Sequence, residues 1–276
     1  MNAQPATGRA GRDLSAAIAV GVCLGALVLV TLYTVKVAFV VVAVAAIAAA
    51  VGEVARALAR QGVRVPVVPV LAGGTALLVA AYAAGPDAMT VGLLLTAVAV
   101  LAWRLPGPRP GYLRDVAAGV FTALYVPFLA GFCLLLLAPQ DGARRVTVFM
   151  AVTVASDVGG YAAGVLWGRR PLAPTVSPKK SWEGLGGSAL ACMLVGAVLV
   201  RTLLHGAVWH GALLGLAVVA SATLGDLGES MIKRDLGLKD MGTLLPGHGG
   251  IMDRLDSLLP TAPLAWALLT LLDPPG

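Results

Sequence analysis

Charged side chains gather between residues 225 and 256, in a chain otherwise built mostly of Ala, Val, Leu and Gly. They include Asp226, Glu229, Lys233, Arg234, Lys239, Asp240, His248, Asp253, Arg254 and Asp256. Asp226, Glu229 or Ser230, and Lys233 fall at i, i+3/4 and i+7, so they share one helical face. Asp253 and Asp256 fall at i and i+3 where the next helix begins. With Asp226 nearby in sequence, these carboxylates make an oxygen-ligand set suited to Mg²⁺, which usually takes one or two carboxylates plus substrate phosphates. Lys233, Arg234 and Arg254 are placed to face the phosphate charge that remains. Between the two groups lies Pro246-Gly247-His248-Gly249-Gly250, a turn without side-chain bulk. Its backbone N–H groups can approach an anion closely, and His248 can donate to a phosphate oxygen. The plainer readings are an internal ion pair that locks two helices, and a glycine turn that is only a turn.

A second group lies upstream in Ser177-Pro178-Lys179-Lys180-Ser181-Trp182-Glu183-Gly184. Ser177 and Pro178 read as a helix entry, and Glu183 suits the positive end of the helix dipole. Two lysines at a helix start oppose that dipole unless an anion binds there. A positive-inside loop would explain the lysines without any ligand. Asp157 is an acid inside an apolar run, with Gly159 and Gly160 beside it to permit close helix packing; a hydrogen bond between helices is the plain alternative. Glu53 reads as an end-of-span acid near Arg56, and no role is assigned to it. His205 and His210 flank an outer loop and are expected to be solvated.

Absent motifs narrow the chemistry. There is no phosphate-binding loop ending in Lys-Ser/Thr, no dinucleotide fingerprint, no histidine pair for zinc and no nucleophile elbow. Cys23, Cys133 and Cys192 are far apart in apolar runs and read as small packing residues. What remains is metal-assisted phosphoryl or nucleotidyl transfer at a membrane face.

The elements that must position these residues are membrane helices. The 276 residues are 58% hydrophobic and 12% charged, with a mean hydropathy of +0.88; soluble domains carry about 25% charge. The fold class expected is all-α, a polytopic membrane protein with about nine transmembrane helices and a cytoplasmic N-terminus. The spans are roughly 14–34, 36–55, 66–84, 88–103, 113–138, 144–167, 184–204, 207–230 and 255–272, each near the twenty or so residues a crossing needs. The first reads as a retained span, not a signal peptide. With the N-terminus inside, sixteen Lys and Arg residues face the cytoplasm and four face outward, which fits the positive-inside rule. The net charge of +6 is then accounted for by basic loops rather than by a nucleic-acid partner. One integral membrane domain, 1–276, divides into N-terminal hydrophobic helices, 1–140, and catalytic helices, 141–276, with cytoplasmic loops 168–183 and 231–254.

Residues 230–256 follow the pattern Ser-x-Ile-Lys-Arg-x₄-Lys-Asp-x-Gly-x₂-Leu-Pro-x-His-Gly-Gly-Ile-x-Asp-Arg-Leu-Asp without a gap. This closely resembles the signature of the phosphatidate cytidylyltransferase family, also called CDP-diacylglycerol synthases. Gly225-Asp226-Leu227, residues 177–184, and Asp157 with Tyr161 following resemble the family too. Val158-Gly159-Gly160 departs from its more frequent Thr-Gly-Ala. The resemblance implies that CTP and phosphatidate give CDP-diacylglycerol and pyrophosphate, with Mg²⁺ and often a monovalent cation such as K⁺. It implies a homodimer in the cell (inner) membrane with the active site on the cytoplasmic side. Under it, Asp226 and Asp253 are metal ligands, and Asp256 is a ligand or stands just behind them. Ser177, Lys179, Lys180, Lys233, Arg234, Lys239 and Arg254 hold substrate, His248, Gly249 and Gly250 approach the triphosphate, and Asp157, Glu183 and Ser230 lend support. A CTP-dependent lipid kinase would share a nucleotide site but release CDP. An ion-coupled transporter would place its charges nearer mid-membrane.

Overall fold

The computed structural model describes residues 14–244 and 249–275. It is helical throughout apart from one small hairpin: α1 (Leu14–Thr34), α2 (Lys36–Ala59), α3 (Val67–Arg104), α4 (Tyr112–Leu137), α5 (Gly142–Trp167), β1 (Pro171–Ala173), β2 (Ser177–Ser181), α6 (Trp182–Leu204), α7 (Val208–Asp235) and α8 (Met252–Leu272). The seven helices from α2 to α8 are each long and apolar enough to cross a membrane. The protein is a multi-pass membrane protein whose outward faces carry large apolar side chains such as Leu94, Leu95, Leu190 and Leu224.

α3 has 38 residues. Straight, it would run about 57 Å, nearly twice the hydrocarbon thickness of a bilayer. It folds instead at Gly85, which takes φ 86° and ψ −170° just before Pro86, a conformation open to glycine and costly for other residues. Its two arms then pack on each other. Gly73 lies directly against Thr96, and a β-carbon on Gly92 would sit 2.9 Å from that of Leu77. The two arms are the sequence segments 66–84 and 88–103.

Helices α5, α6 and α7 approach through glycines. A β-carbon on Gly159 would lie 2.8 Å from the carbonyl oxygen of Gly187, and one on Gly215 would lie 2.5 Å from that of Cys192. Ser188 Oγ donates to the Ser156 carbonyl at 2.6 Å, tying α6 to α5. With lipid on the outside, such small-residue contacts are what lets helices pack closely. They fix the halves of α5 and α7 nearer the hairpin, which carry Asp157 and Asp226.

The all-α, multi-pass fold holds, with one small addition: β1 and β2 pair antiparallel, Pro171 opposite Ser181 and Ala173 opposite Ser177. Two expectations need correction. The helix expected to open at Ser177-Pro178 begins at Trp182, because Ser181 is its N-cap and accepts the Gly184 N–H at 3.0 Å. Nor are all the outer-loop histidines solvated. His210 Nδ1 lies 2.8 Å from Asp273 Oδ1, beside a buried Arg145 that donates to Asp141 Oδ2 at 2.8 Å and to the carbonyls of Leu269 and Asp273. This network staples the start of α5 to the end of α8, at the end of the bundle away from β1 and β2.

Candidate active site

The β-hairpin decides where the two lysines go. Successive residues of a strand point to opposite faces. Lys180 reaches Asp226 of α7 in a close ion pair. Lys179 is exposed and lines two cavities that adjoin at it. The first, about 270 Å³, is walled by Asp157 and Tyr161 of α5, Lys180, Ser188 of α6 and Asp226 of α7. The second, about 220 Å³, is walled by Ser177, Lys179, Ser230, Lys233, Arg234 and Lys239. One cavity therefore mixes two acids with two lysines, and its neighbour carries four cations and two hydroxyls.

A set of carboxylates lies beside the first cavity. Asp226, Glu229, Asp256 and Asp157 come from three helices and are near enough for their charges to act on one another. Glu229 is fully buried, its oxygens have no hydrogen-bond donor among the described residues, and its nearest cation is Lys233 at 3.5 Å. Asp256 is held by Ser257, whose N–H donates to Oδ1 at 2.6 Å and whose hydroxyl lies 3.2 Å from the same oxygen. Tyr125 of α4 comes near Glu229, Asp256 and Asp226.

Asp253 plays a different part. Lys233 Nζ donates to its Oδ1 at 2.9 Å. Met241 N–H donates to both oxygens, at 3.2 and 3.0 Å, and Gly250 N–H to Oδ2 at 2.9 Å. The carboxylate thus closes the loop between α7 and α8 on itself. Gly249 beside it has φ 82°, which favours glycine. Glu183 works in the same way one loop earlier, with Oε2 accepting from the N–H groups of Arg169 and Arg170 at 3.1 and 3.2 Å. Arg254 is exposed, with its charge felt at Asp157. His248 lies outside the described residues.

The structure therefore brings together Asp157, Lys180 and Asp226 around one cavity, with Asp256 near these acids, and Ser177, Lys179, Ser230, Lys233, Arg234 and Lys239 around the other. Glu229, Tyr125 and Glu53 are the members of this neighbourhood that sequence reasoning left without a role. Glu53 carried a usable signal, because an acid inside an apolar helix needs a reason to be there. Among the described residues no three His, Cys, Asp or Glu side chains form a metal cage. Mg²⁺ does not require one, since it commonly takes one or two carboxylates and completes its shell with water and substrate phosphate. Asp226 and Asp256, with the unpartnered oxygens of Glu229 behind them, fit that need.

Residues 15–272 match the profile described as the cytidylyltransferase family. A phosphatidate cytidylyltransferase of Mycobacterium bovis is 46% identical, the match taking in 98% of this chain and 93% of that protein. One of Mycobacterium leprae is also 46% identical, over 96% of this chain and 90% of its own length. One of Haemophilus influenzae is 39% identical over about half of each chain, 50% and 51%. With the profile covering nearly every residue and the mycobacterial likeness running almost end to end, the chain belongs to the cytidylyltransferase family.

Proposed function

We propose that the protein is a phosphatidate cytidylyltransferase, transferring the cytidylyl group of CTP to phosphatidate and releasing pyrophosphate. The observation that carries this reading is the pairing of an acid-lined cavity with a cationic one that adjoins it at Lys179. The reaction needs both. A phosphatidate oxygen, already ionised near pH 7, attacks the α-phosphorus of CTP. The bond from that phosphorus to the β-phosphate bridging oxygen breaks, and pyrophosphate leaves with the electron pair. No side chain has to act as nucleophile or strong base. The task is to hold two polyanions together, which is positioning and charge neutralisation.

In this reading Lys179, Lys233, Arg234 and Lys239 hold the β- and γ-phosphates and the departing pyrophosphate. Ser177 and Ser230 add hydroxyl donors there. Lys180 and Arg254 face the lipid phosphate. Asp226 and Asp256 would hold Mg²⁺, which when bound supplies Lewis acidity toward the α-phosphate. Asp253 shapes the loop around them, and Asp157 balances the charge of Lys180. The decisive assay is purified protein with labelled CTP, phosphatidate and Mg²⁺. A CDP-lipid with one pyrophosphate per turnover supports the reading; CDP with a phosphorylated lipid would replace it with a lipid kinase.

Alanine at both Lys179 and Lys180 is expected to weaken the use of CTP and phosphatidate without unfolding the protein. Lys180 and Asp226 are both partly exposed (29% and 27%), and such pairs add little stability. Steady-state kinetics beside a thermal melt checks this; unchanged kinetics would leave the lysines as ordinary loop charges.

The finer topology belongs to the same proposal: nine crossings, with α3 counted as two, a cytoplasmic N-terminus and an outward C-terminus. The protein would work as a homodimer in the cell membrane. A cysteine replacing Gly276, in a background free of native cysteines, should react with an impermeant thiol reagent on intact cells. Labelling only after lysis would reverse this topology.

A further inference from the structure

Glu53 lies in α2, in the half of the chain that carries none of the signature, yet it touches the loop that carries most of it. Its side chain is fully buried. Oε2 accepts the Met252 N–H at 2.9 Å. Gly250 and Gly242 lie directly against the same carboxylate, with no room for a β-carbon on either. Among the described residues no Lys, Arg or His lies within ion-pair distance of it, and Oε1 has no hydrogen-bond donor. A carboxyl group buried this way costs stability, so local packing alone is a poor reason for it. The loop it touches gives a better one. Gly250, which Glu53 contacts, and Met241, the chain neighbour of Gly242, are the residues whose N–H groups hold Asp253. Met252 opens the helix that carries Asp253 and Asp256. The two strands of the loop are thus gripped from one side by Asp253 and from the other by Glu53.

We propose that Glu53 is a positioning residue for the reaction: a hydrogen-bond acceptor from α2 that sets the backbone at 241–242 and 250–252 and, through it, the acids of α8. This rests on the cytidylyltransferase reading, but part of its test does not. The acceptor role predicts that Glu53→Gln, which keeps a carbonyl oxygen and the shape, retains turnover. Glu53→Leu keeps the volume and removes the acceptor. Its kcat should fall about a hundredfold, the scale of a reacting group displaced by about an ångström, while KM for CTP changes little. Gly242→Ala leaves Glu53 in place but pushes it off its seat, and should act like Glu53→Leu.

The experiment is full-length protein in nanodiscs, read by CDP-lipid formation and by hydrogen exchange at the Met241, Gly250 and Met252 amides. The expected result is faster exchange at these amides in Glu53→Leu and Gly242→Ala, with α5 to α7 unchanged, and wild-type protection in Glu53→Gln. Loss of activity in Glu53→Gln would overturn the proposal in favour of a charge role. Normal turnover in Gly242→Ala, or a uniform rise in exchange across all helices, would reduce Glu53 to a packing residue. If Glu53→Leu does not fold, the other two variants still decide. A wild-type protein that makes no CDP-lipid would defeat the functional reading instead, and the exchange data would still judge the grip on the loop.

Discussion

Asparagine in place of Asp226 or Asp256 is expected to lower CDP-lipid formation on the order of a thousandfold, equivalent to roughly 4 kcal/mol of lost transition-state stabilisation. The folded protein should survive intact. Among the described residues Asp226 is paired only with Lys180, and both side chains are partly exposed. Asp256 stands beside Asp226 and Glu229, and the acids oppose one another's charge. Removing one negative charge from that group relieves repulsion, so the melting temperature should hold or rise slightly. The second readout is linkage. A wild-type protein that binds Mg²⁺ and CTP melts higher when both are added. Either variant should lose most of that rise, because a Mg²⁺ held by Asp226 and Asp256 would have lost a ligand. A variant that keeps the rise but not the turnover would place the metal elsewhere.

The helices were legible in the sequence because each is an apolar run bounded by charge or proline, and hydropathy needs nothing more. Even the fold in α3 was marked, by Gly85-Pro86. The β-hairpin was not. Its strands are three and five residues long, and Ser177-Pro178-Lys179-Lys180-Ser181 has no apolar alternation to announce a strand. The consequence was chemical: a helix start would have presented both lysines to one anion, whereas the strand turns Lys180 to Asp226 and leaves Lys179 lining both cavities. The signature residues were legible as types but not as partners. Spacing placed Asp253 and Asp256 on one face, yet Asp253 turns to Lys233 and the loop backbone while Asp256 turns to Asp226 and Glu229. Glu53 could not have been placed at all, since its partner Met252 is 199 positions away in sequence. Local pattern carries no information about such a contact.

Asp253 and Lys233 should answer differently from Asp226 and Asp256. Asp253→Asn keeps the size of the side chain but meets three donors, Lys233 and the N–H groups of Met241 and Gly250, with one acceptor oxygen where there were two. Its amide hydrogens then face a donor across a buried gap, since Asp253 is only 6% exposed. Breaking a buried pair by changing one member costs about 3–5 kcal/mol, so this variant should lose turnover and also melt clearly lower. Lys233→Met should do the same for the opposite reason: it leaves the buried carboxylates of Asp253 and Glu229 without their shared cation. Combined, the two changes remove both charges at once, and replacement of a whole buried pair by uncharged groups is often close to neutral. The double variant should therefore recover most of the lost stability, which a thermal melt or denaturant series would show as a large favourable coupling. It should recover no activity, because Lys233 also lines the cationic cavity and the triphosphate would still lack it. A different pattern would carry a different meaning. If Asp253→Asn melts like the wild type yet is inactive, and the double variant shows no coupling, then Asp253 leaves Lys233 for the metal in the working enzyme, and the loop is held by Glu53 alone.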